Sequence, residues 1–113
     1  MKYVMLYEAA ADDFMEKAIA NFPEHHKWSM GFAERGQLLM IGPLADGSGD
    51  AMGVFTSREA AKAFVAGDPF VQQGVVGNVR IREWREALVP EEAGDEAEEA
   101  DEEAAGAAEE AED

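Results

Sequence analysis

The chain has 113 residues, 25 of them acidic and 9 basic, for a formal net charge of −16. One domain with a core of its own is the expectation at this length. The absence of cysteine excludes a disulfide framework, a thiolate metal site and a cysteine nucleophile, and fits a reducing compartment.

KYVMLY, residues 2–7, is a short apolar run with a β-branched residue and two tyrosines, and reads as the first strand. The start is too short for the apolar core of a signal peptide, and it meets Glu8 at once. No run approaches a membrane span, so a cytoplasmic protein is expected. AADDFMEKAIANF then reads as helix. Phe14, Ala18 and Phe22 recur every four residues, with Met15 and Ile19 alongside, and Asp12 and Asp13 fall in the first turn, where the dipole favours acids. Pro23 is expected to break this helix and open a second one, which runs through HHKWSMGFAER to Gly36.

Gln37 to Ile41 reads as the second strand, closed by Gly42 and Pro43. LADGSGD, residues 44–50, is turn chemistry, and AMGVF follows as the third strand. SREAAKAFVAG is a helix with Ser57 as N-cap and Gly67 near its end. Asp68 and Pro69 stop it. NVRIREWREA is the last strand, with Val79, Ile81 and Glu83 on one side and Arg80, Arg82 and Trp84 on the other.

The order β-α-β-β-α-β, with the first helix broken at Pro23, is that of an α+β, ferredoxin-like sheet with helices on one face. Strands one to three are apolar at nearly every position, which marks strands buried on both faces. Two helices cover one face only. A second copy packing sheet to sheet, as a dimeric α/β barrel, is the simplest cover, so a homodimer is expected.

Residues 91–113 form a separate unit, with 13 acids, no base and no side chain larger than Glu. Like charges without bases at i+4 predict disorder near neutral pH and a solubilising tail, or a docking tail for a basic protein. Residues 1–90, the folded domain, carry a net charge of only −3. Neither part offers the basic surface that nucleic acid requires, so nucleic acid and membrane are not expected partners.

Two histidines, His25 and His26, stand side by side at the start of the predicted second helix. Adjacent helical residues point about 100° apart, so only one of them is expected to face a given pocket. His25 shares a stripe with Trp28, Ser29 and Phe32, and His26 with Met30 and Ala33; periodicity leaves the choice open. PEHH lacks the H-x-x-H or H-E-x-x-H spacing of a metal site. LADGSGD lacks the lysine of a phosphate loop and the terminal Glu of a calcium loop, and Ser48 has no local base. It reads as a turn or a flap. Asp68, ahead of Pro69, is held extended. It reads either as a helix stop bonding local N–H groups or as an acid that orients a histidine, selects its tautomer and steadies its charged form.

PEHHKWSMGFAERGQLLMIGP and GDPFVQQGVVGNVRIREW, with the apolar start KYVMLY, resemble the YciI-like (YCII-related) family over most of residues 1–86. The resemblance lies in a His-bearing helix, then Gly, then a strand ending in Gly-Pro, and in an Asp-Pro-aromatic turn followed by a Gly and the last strand. Spacing from Gly36 and from Gly42-Pro43 aligns the family's histidine with His25. The resemblance implies a ferredoxin-like dimer and a His–Asp acid–base pair, here His25 and Asp68, with Gly42, Pro43 and Phe70 lining a small-molecule pocket and no cofactor. One branch of the family is a dehydrochlorinase of a hydroxylated chloroaromatic, and related barrels include a muconolactone isomerase. Where some members carry Arg before the proline of the His helix, this chain has Phe22, so that handle on an anionic substrate is missing. A lyase, isomerase or dehydrochlorinase-like acid–base enzyme is therefore the leading expectation. A non-catalytic ligand-binding or interaction dimer with an acidic docking tail is the alternative, and a haem-handling barrel is a third reading by fold analogy alone.

Overall fold

A computed structural model describes residues 1–90, so the reading of residues 91–113 as an acidic tail lies outside the described residues. The elements are β1 (Lys2–Ala9), α1 (Phe14–Glu34), β2 (Leu38–Pro43), β3 (Ala51–Phe55), α2 (Arg58–Gly67), α3 (Pro69–Gln72) and β4 (Val76–Trp84). The four strands form one sheet in the order β2-β3-β1-β4, every neighbouring pair antiparallel. This is an α+β, ferredoxin-like fold. Among the described residues, no helix is long and apolar enough to cross a membrane.

The period-two pattern of β1 sends Met5 and Tyr7 to the helical side, where both are buried. There they join Phe32 from α1, Leu38 from β2, Phe55 from β3, and Ala60, Ala61 and Phe64 from α2. Phe64 packs edge-on to Phe32 and tilted to Phe55, both at ring-centroid distances of 5.2 Å, which is favourable aromatic geometry. Ser57 caps α2 by accepting the Ala60 N–H at 3.0 Å. Gly36, at φ +77°, ends α1, and the Gly36 and Gln37 N–H groups donate back to the Ala33 and Phe32 carbonyls.

Two sequence expectations need correcting. The first helix is not broken at Pro23: α1 is a single helix with that proline inside it. A proline removes one backbone donor, and at this exposed turn water reaches the carbonyl left behind. The next turns are fixed from outside the helix, where the Trp28 indole N–H donates to the Phe64 carbonyl at 3.0 Å. Tertiary packing outweighs the local rule. Secondly, β2 begins at Leu38 rather than Gln37, and Gly42 and Pro43 close it as its last two residues. β2 is an edge strand, where a proline's missing N–H is tolerated.

Candidate active site

Asp68 lies between α2 and α3 with an extended backbone, at φ −71° and ψ 122°, as expected before a proline. Its side chain turns back and accepts the Phe70 N–H at 3.0 Å, capping α3. The carboxylate is fully buried, yet both oxygens are satisfied. Oδ1 also meets His25 Nδ1 at 2.7 Å, and Oδ2 accepts the Tyr7 hydroxyl at 2.6 Å. A buried charge is tolerable only with such partners.

Tyr7 is itself buried. Burial first, then the charge and hydrogen bond of Asp68, push its hydroxyl far above the ordinary tyrosine range. It therefore stays protonated and donating. With the carboxylate accepting from Tyr7 and Phe70, its remaining partner, His25 Nδ1, carries the proton and donates it. In the neutral imidazole, Nε2 is then the ring nitrogen with a lone pair, and it has no hydrogen-bond partner among the described residues. The ring is further fixed by Phe70, stacked on it at 3.8 Å between centroids and 1° between planes. Ser29, buried one turn along α1, donates to the His25 carbonyl at 2.8 Å.

His25 forms part of the wall of a cavity of about 570 Å³ between α1, β2, the end of β1 and the start of β4. Gly42, Pro43 and Phe70 line the same cavity. So does His26, against the expectation that only one of the two histidines would face it. The cavity follows a broad face of α1, from Phe14 to Ala33, wide enough to take both directions. The two are not equivalent, because His25 reaches Asp68 whereas His26 is exposed at the rim, stacked near Phe22 at 5.5 Å. The 44–50 loop is tied to itself through Asp46, Ser48 and Asp50, and Asp50 also accepts the Ala9 N–H at 3.0 Å. It touches the cavity through Gly49, whose φ of +88° and packing against the Phe14 ring leave no room for a Cβ. Ser48 stays outside the lining, bonded to Asp46.

Tyr7 was not singled out from the sequence. Its signal was the two-residue period of strand geometry, which puts Tyr7 on the same face of β1 as Met5, where a buried hydroxyl must find a partner. Among the described residues, no three His, Asp or Glu side chains gather as a metal site would require.

The fold has solved counterparts. It is similar to 5-chloro-2-hydroxyhydroquinone dehydrochlorinase (TftG) from Burkholderia phenoliruptrix, determined in complex with 2,5-dihydroxybenzoquinone. The TM-score is 0.63 at 18% identity, covering 77% of this chain and 96% of that one. It is also similar to a NIPSNAP family protein from Agrobacterium tumefaciens, with a TM-score of 0.50 at 12% identity, covering 79% and 95% of the two chains. At these identities the likeness establishes the fold alone. No curated protein matches the sequence significantly. The model of the YCII-related domain matches residues 1–85, and the chain belongs to that family.

Proposed function

We propose that this protein is a small-molecule acid–base enzyme of the lyase or isomerase type, with His25 as the proton-transfer group and Asp68 as its positioning partner. The observation that carries this reading is the 2.7 Å contact between His25 Nδ1 and a fully buried carboxylate, at the wall of an apolar cavity. Nε2 takes a proton from an acidic C–H or O–H of the substrate. The pair of electrons left behind forms a new double bond. In an elimination, a leaving group such as chloride departs with its own bonding pair; in an isomerisation, His25 returns the proton to another carbon. Asp68 balances the charge that His25 gains, and neutral Tyr7 holds Asp68 in place. Gly42, Pro43 and Phe70 shape the pocket. The dehydrochlorinase of similar fold makes hydroxylated chloroaromatics the first compounds to try.

Chloride release and solvent-deuterium incorporation into such compounds, followed for the wild type and variants, test the proposal. His25→Ala should lower the rate by roughly 10²- to 10⁴-fold, the usual contribution of a general acid or base. Undiminished turnover in His25→Ala would remove His25 from the mechanism.

The assembly belongs to the same proposal. Strand pairing puts Val4 and Leu6 of β1, Met52 and Val54 of β3, and Met40 of β2 on the sheet face away from the helices. Met40 is 63% and Met52 36% exposed. A second copy packed on this face would form a dimeric α/β barrel; its apolar patch supports that reading, with Arg80 and Arg82 of β4 beside it on the same face.

A further inference from the structure

The chemistry of the cavity wall limits what it can take. Among the described residues, no lysine, arginine, aspartate or glutamate lines it. Its titratable groups are His25, His26 and Tyr7, and the Tyr7 hydroxyl is committed to Asp68. The nearest buried charge is negative, directly behind His25. A carboxylate or phosphate entering here would shed its water, meet no lysine or arginine and face Asp68. Phe22 lies on the wall beside His25. It is 52% exposed, with its ring 6.2 Å from that of His25.

The rest of the wall suits flat apolar rings. Phe14 and Phe22 supply aromatic surface, and Met15 and Met30 supply flexible thioethers that adapt to a ring face or edge. The volume of about 570 Å³ falls within the ~300–1,000 Å³ range of sites that enclose drug-sized molecules. A single six-membered ring would leave much of it unfilled.

We propose that the site takes an uncharged, flat molecule of two or more fused rings bearing a hydroxyl or carbonyl group, and that it rejects carboxylates and phosphate esters. The placing of the hydroxyl or carbonyl against His25 Nε2 rests on the acid–base reading; the selection for charge and size rests on the wall alone.

Binding of three probes to the full chain at neutral pH tests this: 2-naphthol, 2-naphthoate and phenol, each measured by calorimetry. 2-Naphthol should bind roughly tenfold or more tightly than either of the others, since phenol buries less apolar surface and naphthoate carries an unpaired charge. Phe22→Arg should strengthen naphthoate binding by roughly tenfold or more, because it adds the missing counter-charge at the rim. Wild-type protein that binds naphthoate or phenol as tightly as 2-naphthol, or that binds none of the three, overturns the proposal. The two readings fail separately. Neutral-ring selectivity without any His25-dependent turnover would sink the enzyme reading and leave this one. His25-dependent turnover of an anionic substrate would do the reverse.

Discussion

Three donors converge on the Asp68 carboxylate, each from a different part of the chain: Tyr7 from β1, His25 from α1 and the Phe70 N–H from α3. The cluster therefore joins sheet to helices as well as fixing the imidazole. Oδ1 has two donors, but Oδ2 has only Tyr7, so removing that hydroxyl leaves a fully buried oxygen unsatisfied. Tyr7→Phe deletes only the hydroxyl and should destabilise the fold by about 1–3 kcal/mol, read as a lower urea midpoint at unchanged slope. If Tyr7 also positions Asp68, the variant lowers kcat while KM stays near the wild-type value. A drop in stability with kcat intact would confine Tyr7 to a structural role. His25 and Asp68 were accessible from sequence only through the family resemblance, carried by the His-bearing helix and the Asp-Pro turn; periodicity alone left His25 and His26 open. Tyr7 was not, because its partner is 61 positions away and only strand pairing and burial bring the two together.

At the scale of elements, α1 contradicts a sound local rule. Pro23 should end a helix, and the chain on either side of it has ordinary helical spacing, yet α1 continues through it. The deciding contacts are non-local: the Trp28–Phe64 hydrogen bond, the His25–Asp68 contact and the burial of Phe32. Gly67 contributes by its lack of a side chain, since a Cβ there would collide with the Trp28 ring. Such terms are invisible to periodicity, whereas the caps at Ser57 and Gly36 are local and could be read correctly. A proline inside a helix costs up to about 3 kcal/mol relative to alanine. Pro23→Ala should therefore raise the thermal midpoint, by an amount equivalent to about 1–3 kcal/mol. His25 lies two residues, about half a turn, beyond Pro23, so the variant also tests whether the proline sets the direction in which His25 leaves α1. If turnover falls while stability rises, Pro23 is a positioning residue. If both are unchanged, the helix carries no proline penalty, and the non-local contacts have none to outweigh.

At the scale of the whole molecule, two features close or cover the sheet. Glu86, just beyond β4, pairs with Lys2 at 2.6 Å and with the Met1 amine at 3.1 Å, clasping the two ends of the described strands. The hydrogen bond from Lys2, ahead of the smaller contributions, lowers its carboxyl from the ordinary 4.5 to about 2. A carboxyl lowered by folding stabilises the native state above its unfolded value, and the contribution is lost as pH falls through the folded one. Glu86→Gln should thus lower the thermal midpoint at pH 6, and the gap to wild type should close between about pH 4.5 and pH 2. A gap that does not change with pH would mean that the clasp acts through packing alone. The open sheet face raises the larger question. Its apolar strands were legible in the sequence because they lack alternation, and the structure puts Met40 and Met52 on that face, exposed. Burying them against a second copy gains apolar contact on both sides, and each site counts twice across a two-fold axis. A lysine at either position would have to be desolvated without a partner, at about 2 kcal/mol or more, which is roughly thirtyfold in Kd. Light scattering should then give twice the chain mass for the wild type and a mass falling toward one chain on dilution of Met40→Lys. Wild-type protein that scatters as a single chain at high concentration would mean that this face is not covered by a second copy.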